Sequence, residues 1–264
     1  MKHILVPLDF SPGALHAADV AIALAQKAGA TVCFFHAVVN DPHVHSQPER
    51  DDESSVGHAR IAMTQLIDKA EQEGVLATSL LTFDDAQTSI EQYVKTYEID
   101  LVVLGSQVKV SSTGLEFLRL ISGVPVLAIK NNGAEFNPRK ILFASDFKTE
   151  WIKPFGMITE LAALYETTVD LVYVSTPYHF VATREVYSKM KGFMQSFGRV
   201  NYKPHVYNAL IEEVGIEEFA EDNKVDLICM TTRGHSALQK LFMPSVAEGV
   251  LKNQEKPMLI VNIK

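Results

Sequence analysis

Residues 226–263, DLICMTTRGHSALQKLFMPSVAEGVLKNQEKPMLIVNI, carry the pattern with the most evident chemical use. A buried strand runs into a loop holding Arg233 and Gly234, a helix opens at Ser245, and an apolar strand closes the stretch. The first turn of a helix presents unpaired N–H groups and its dipole favours negative charge, so such a strand–loop–helix can hold a phosphate or carboxylate. Arg233, His235 and Lys240 add positive charge to the loop. Capping explains the same residues without a ligand: Ser245 and Glu248 form S-x-x-E, a capping box, and Pro244 fixes the entry of the chain.

Other groups of chemical interest read more simply. His43 and His45, near Asp41 and Glu49, have the residue types of a metal site, but no third ligand is fixed by spacing, and the surrounding Asp, Glu, Pro and Ser describe a solvated insertion. His36 lies in an apolar strand and reads as a satisfied core histidine. Cys33 and Cys229 sit in apolar runs as buried, reduced thiols. The aromatics of Ser175–Phe180 (STPYHF), with Tyr187, either line a ligand cavity or pack the following helix, the latter being the ordinary role. Met190, Phe193, Met194 and Phe197 recur at helical spacing, as core or interface residues do.

The elements that must position these groups follow from a repeat. Lys2–Ser11 (KHILVPLDFS) lies over Arg139–Lys148 (RKILFASDFK) at an offset of 137. Ile99–Gly105 lies over Val225–Thr231 at an offset of 126, and Pro125–Ile129 over Pro257–Val261 at 132. The first copy therefore holds 11 extra residues before its fourth strand, assigned to the polar stretch Asn40–Ser55, and the second holds 6 extra residues between its fourth and fifth strands. The copies are expected at 1–132 and 138–264, joined by the Gly/Pro-containing polar linker Asn131–Pro138.

In the first copy the patterns predict strands at 4–8, 31–38, 76–82, 100–105 and 124–129, with helices at 12–28, 55–73 and 86–97 and a short one near 115–121. In the second they predict strands near 140–144, 168–174, 203–207, 226–230 and 258–261, with helices near 150–165, 181–197, 212–223 and 245–252. Continuous Val/Ile/Leu strands alternating with helices mean parallel sheets covered on both faces, so the fold class is α/β, two repeated doubly wound five-stranded units.

The 264 residues suffice for two real cores, and no apolar run is long enough to span a bilayer. MKHILVPLDF leads straight into a strand pattern with no secretory signature, so a cytoplasmic protein is expected. Residues 1–137 hold 9 Lys and Arg against 17 Asp and Glu, whereas residues 138–264 hold 15 of each. The acidic first part argues against nucleic-acid or membrane partners there and directs the search for an anionic ligand to the second part.

Asp9 and Asp146 at the end of the first strand of each copy, DLVVLG (100–105), DLICMT (226–231) and PSVAEGVL (244–251), taken together, resemble tandem universal stress proteins, of the HUP-type adenine-nucleotide-binding fold. Members of that family that bind ATP carry G-x2-G-x9-G-[ST] after the fourth strand. The matching positions here are Thr231, Gly234, Pro244 and Ser245, with the spacing kept and two of three glycines replaced. Thr231 adds a β-branched side chain, and Pro244 removes an N–H. By resemblance, the nucleotide site of the second copy comprises Ala144, Ser145, Asp146, Val174, Met230, Thr231, Arg233, Gly234, Ser245, Val246 and Ala247, with Asp146 toward the adenine and ribose end. The same aspartates serve equally as turn carboxylates accepting backbone amides. The first copy continues from Gly105 as SQVKVSSTGLEF, a shortened loop with Lys109 its one charge before Glu116, and resembles a lapsed site.

The resemblance implies a non-catalytic stress-response protein sensing ATP or another small nucleotide through the second copy. It also implies an internal pseudo-dimer in which Val124–Ile129 pairs with Met258–Ile263, and a further homodimer. The alternative is a ligand-free interaction scaffold. A slow ATPase is the third reading; no Walker Gly-Lys-Ser/Thr, nucleophile elbow or Ser–Gly–Gly loop after the first strand supports it, and no enzyme is expected.

Overall fold

Ile4, Leu5 and Val6 have no exposure to solvent, as the unbroken apolar run of β1 (His3–Pro7) requires of a strand covered on both faces. The structure is a computed structural model that describes residues 1–38, 51–83, 86–106, 123–130, 135–198, 200–233, 246–253 and 255–263. The chain divides into two units, Met1–Ser106 and Gln107–Lys264. No described helix is long and apolar enough to cross a membrane.

In unit one, β1 is followed by α1 (Pro12–Ala28), β2 (Thr31–Ala37), α2 (Asp51–Gln72), β3 (Ala77–Thr82), α3 (Ala86–Thr96) and β4 (Leu101–Ser106). The strands are parallel in the order β3-β2-β1-β4. Helix α1 starts where sequence signals converge: Ser11 Oγ accepts from the Ala14 N–H at 3.3 Å and Pro12 occupies the first turn. It ends at Gly29, whose φ of 65° is the left-handed cap conformation that glycine adopts without strain. The buried face of α1 is mostly alanine, with Ala14, Ala17, Ala18, Ala21 and Ala25, so the helix can lie close to β4.

Unit two contains β5 (Val126–Lys130), β6 (Lys140–Ala144), a 3-10 turn at Thr149–Trp151, α4 (Ile152–Leu164), β7 (Thr168–Ser175), α5 (Thr183–Met194), β8 (Tyr202–Asn208), α6 (Glu212–Asp222), β9 (Leu227–Arg233), α7 (Val246–Asn253) and β10 (Met258–Ile263). Its order is β5-β10-β9-β6-β7-β8. The segment 8-7-6-9 repeats the 3-2-1-4 of unit one. All these neighbours are parallel except β5 and β10, which pair antiparallel through Ala128 with Met258 and Val126 with Ile260. The pairing that the resemblance implied between the two closing strands is thus present. Among the described residues strand β8 has only β7 as neighbour, and its Pro204 is at home on such an edge.

The repeat extends to hydrogen bonds. Asp100 Oδ2 accepts from the backbone N–H groups of Lys2 (2.5 Å) and His3 (3.0 Å); Asp226 Oδ2 accepts from those of Arg139 (3.0 Å) and Lys140 (2.9 Å). Each aspartate of the strand-four motif clasps the start of its unit's first strand, which gives the motif a structural reason. After the first strand, Phe10 and Phe147 both take left-handed backbone, with φ of 58° and 54°. For a bulky side chain this is strain of order 1–2 kcal/mol, held in place by packing. Phe10 meets the His36 ring at 4.7 Å, and Phe147 meets Phe193 at 5.7 Å.

Two expectations change. The helix expected from Glu150 begins instead as the 3-10 turn, with α4 proper from Ile152, because Lys148 offers no side-chain cap where Ser11 does in unit one. Helix α2 starts at Asp51, inside the stretch assigned wholly to the insertion; residues 39–50, with His43 and His45, lie outside the described residues. The short helix expected near 115–121, together with Lys109, also lies outside them. His36 is half-buried with Nδ1 hydrogen-bonded to the Leu8 carbonyl at 2.7 Å, and burial raises the pKa of both Cys33 and Cys229. Met190, Phe193 and Met194 are buried, and Phe193 joins Phe143, Phe147, Phe155 and Phe197 in one aromatic cluster under α4 and α5.

Candidate functional site

The carboxyl ends of β6, β7 and β9 converge where the strand order of unit two runs off in two directions from β6, the place where open α/β sheets hold ligands. A cavity of about 830 Å³ lies there, within the size range of small-molecule sites. Its inner wall is Ala144 and Ser145 from β6 and the turn after it, Val172 and Val174 from β7, Met230 and Thr231 from β9, Ile216 from α6 and Val246 from the first turn of α7. The rim holds Asp146, Lys148, Glu150, Trp151, Tyr173, His179, Phe180, Lys189 and Glu212.

Seven of the residues expected for the site therefore line one cavity: Ala144, Ser145, Asp146, Val174, Met230, Thr231 and Val246. Ala247, also expected there, is buried and does not line it. Arg233 ends β9, and Gly234 and Ser245, with His235, Lys240 and Pro244, lie outside the described residues.

Asp146 is tightly engaged. Its Oδ1 accepts from the Trp151 indole Nε1 at 2.6 Å and from the Lys148 backbone N–H at 3.4 Å, and its Oδ2 pairs with Lys148 Nζ at 2.5 Å. Burial alone would raise the carboxyl's pKa; the hydrogen bonds from Lys148 and Trp151 outweigh it and leave the pKa below the ordinary value. Asp9, by contrast, forms a turn with the Ser11 N–H at 2.9 Å, while Ser11 supplies the helix cap. The turn-carboxylate role holds for both aspartates, and the indole partner belongs to Asp146.

Two more polar pairs border the cavity. His179 Nδ1 lies 2.8 Å from Glu212 Oε1, and Lys189 Nζ lies 2.9 Å from Glu185 Oε1. The hydrogen bond to Glu185 raises the pKa of Lys189, and burial raises that of Tyr173, whose hydroxyl donates to the His179 carbonyl at 2.9 Å. Among the described residues no group of three His, Cys, Asp or Glu could hold a metal ion.

Trp151, His179, Lys189 and Glu212 escaped the sequence reading. One signal was available: the repeat aligns Trp151, the chain's single tryptophan, with Ala14, and Glu150 with Gly13. The ordinary packing role for Tyr178 and Phe180 fails, since they are 91% and 76% exposed. Phe180 lines the cavity, while Tyr187 does not.

A repeated doubly wound α/β unit with a cavity at its strand switch point is the class that the fold and site define. Comparison with known proteins narrows it. The profile of the Universal stress protein family matches residues 1–122 and 211–262, and the chain belongs to that family. It is 36% identical over 81 residues to universal stress protein MJ0531 of Methanocaldococcus jannaschii, covering 30% of this chain and 45% of that protein. It is 33% identical over 85 residues to universal stress protein MJ0577 of the same organism, covering 31% and 51%. The chain thus spans about half the length of these curated relatives. A universal stress protein from Archaeoglobus fulgidus shares the fold at a TM-score of 0.79, with 15% identity over 99% of this chain and 98% of that one.

Proposed function

We propose that this chain is a non-catalytic, cytoplasmic stress-response protein that senses a small nucleotide, ATP among the candidates, in the cavity of unit two. The observation that carries the reading is the cavity itself. It sits at the switch point, with the first turn of α7 on one side for a phosphate and the Asp146 turn beside β7 on the other for a base and ribose. Arg233, Gly234, Ser245 and Ala247 complete the phosphate end in this reading. The two copies, 1–132 and 138–264, act as an internal pseudo-dimer, and a second copy of the chain forms a homodimer with it.

A ligand-free scaffold is favoured by one specific observation: Trp151 and Lys148 already occupy the Asp146 carboxylate that a ligand would use. The two readings separate in one titration. Trp151 lines the cavity and is the chain's one tryptophan, so its fluorescence reports occupancy without a label. Saturable change on adding ATP or AMP, matched by equilibrium dialysis and weakened at least tenfold in Asp146→Ala, is the expected result. No saturable signal by either method up to millimolar nucleotide sinks the nucleotide reading and leaves the scaffold.

A further inference from the structure

We propose that the cavity of unit two continues at its rim into an apolar subsite formed by Tyr178, Phe180, Leu210 and Ile211, which takes a hydrophobic arm on the base end of the bound ligand. The inference rests on the nucleotide reading for the ligand's head and adds the ligand's class: an amphipathic molecule, a nucleotide-like head bearing an alkyl or aryl substituent.

The four side chains are 91%, 76%, 79% and 56% exposed. Single exposed apolar residues are ordinary, but four large ones in two short loops beside a cavity mark a binding surface. The loops, 176–182 between β7 and α5 and 209–211 between β8 and α6, are fastened to each other. The Ala209 N–H donates to the Ser175 carbonyl at 3.1 Å, and the His179 ring meets the Glu212 carboxylate at 2.8 Å. The first loop is also tied internally: the His179 N–H donates to Thr176 O at 3.1 Å and lies 3.2 Å from Thr176 Oγ1, and the Tyr173 hydroxyl holds the His179 carbonyl. The apolar groups thus stand on a braced support, which lowers the ordering cost of covering them.

Continuity with the cavity identifies the occupant. His179, Phe180 and Val181 of the first loop and Glu212, next to Ile211, line the cavity, so its wall runs outward into the patch. The polar side chains on this side are already paired, His179 with Glu212 and Lys189 with Glu185, so an uncharged arm passing over them leaves no partner newly stranded. The first loop leaves β7 and lines the cavity with Asp146, on the base side of a nucleotide whose phosphate lies at α7; the second loop, fastened to the first, leads into α6, which packs against α7.

The test compares AMP with N6-hexyl-AMP on the full chain by Trp151 fluorescence and equilibrium dialysis. Two buried methylene groups are worth about tenfold in affinity, so the hexyl compound is expected to bind at least tenfold tighter. Tyr178→Ser with Leu210→Ser, both outside the cavity lining, is expected to bring the two ligands within about twofold while AMP affinity and circular dichroism stay unchanged. Equal affinity of the two ligands in the unaltered chain overturns the subsite. So does an advantage that survives the double substitution, or a dimer in sedimentation that the double substitution abolishes. If AMP and its hexyl derivative both fail to bind, 1-anilinonaphthalene-8-sulfonate decides: saturable binding lost in the double variant keeps the subsite and discards the nucleotide head, and no binding discards both.

Discussion

Gly13 and Gly105 in unit one correspond through the repeat to Glu150 and Thr231 in unit two, and the two pairs shape their sheet ends in opposite ways. A Cβ placed on Gly105 would lie 2.2 Å from the Gly13 carbonyl oxygen and 2.6 Å from the Ala14 nitrogen. The start of α1 therefore sits directly on the end of β4, backbone against backbone. In unit two the helix proper begins three residues later along the repeat, after the 3-10 turn, and Thr231 and Glu150 both face a cavity of about 830 Å³. The glycine that unit one retains serves close packing, and the threonine of unit two stands where space has opened. A glycine in the strand-four motif is thus no guide by itself to a ligand loop; here it accompanies close backbone packing.

The sharpest way to break this comparison is to exchange the residues. Gly105→Thr forces a side chain into backbone that cannot retreat, and should destabilise unit one by about 3 kcal/mol or more, read in urea unfolding. Thr231→Gly in unit two should stay within about 1 kcal/mol, since its side chain borders a cavity. Similar costs at the two positions would mean that the close packing at Gly105 and the space at Thr231 are not set by these residues.

Trp151 carries the next effect. Replacing it with Phe removes the indole donor to Asp146 and should cost about 1 kcal/mol at pH 7, the lower end for a bond to a charged group because the carboxylate is 40% exposed and water screens it. The sign of the pH dependence follows from the depressed carboxyl. Its folded pKa lies below its unfolded value near 4, so its stabilisation is complete above about pH 4 and is lost as pH falls through the folded value. The difference between Trp151→Phe and the unaltered chain should therefore shrink as pH falls below about 4. A difference constant across that range would detach Trp151 from the Asp146 charge.

The smallest effect concerns matching helix ends. Gly29 and Glu166 occupy the same place in the two copies, with φ of 65° and 49°. Glu166→Gly should stabilise by about 0.5–1 kcal/mol and Gly29→Ala should destabilise by about 1 kcal/mol, both measurable as shifts in thermal midpoint. Equal signs would show that the two caps are not equivalent.

The fold was legible because its determinants are local or repeated. The Val/Ile/Leu runs of β1, β6 and β9 can only be doubly covered strands, and the registers at offsets of 137 and 126 carry one unit's topology onto the other. The inner wall of the candidate site was legible through resemblance, since Ala144, Met230 and Thr231 sit at strand ends that the motifs mark, and so was Asp146 at its rim. The rim was not. Trp151 reads as a helix residue until the turn after β6 swings its indole back to Asp146, and His179 and Glu212 are 33 residues apart and meet only once β7 and β8 have paired. The exposure of Tyr178 and Phe180 was hidden for a related reason: an aromatic residue looks the same in sequence whether it packs a core or faces solvent.

The aspartate clasps on the first strands also bear on how the chain acquires its structure in time. Asp100 holds a backbone amide 98 positions earlier, and Asp226 one 87 positions earlier. The central strand of each unit is thus completed only when nearly the whole unit has been synthesised, and its pairing with the fourth strand must close a long loop. Such distant pairings raise the mean sequence separation of the contacts in each unit, which is the topology that slows folding.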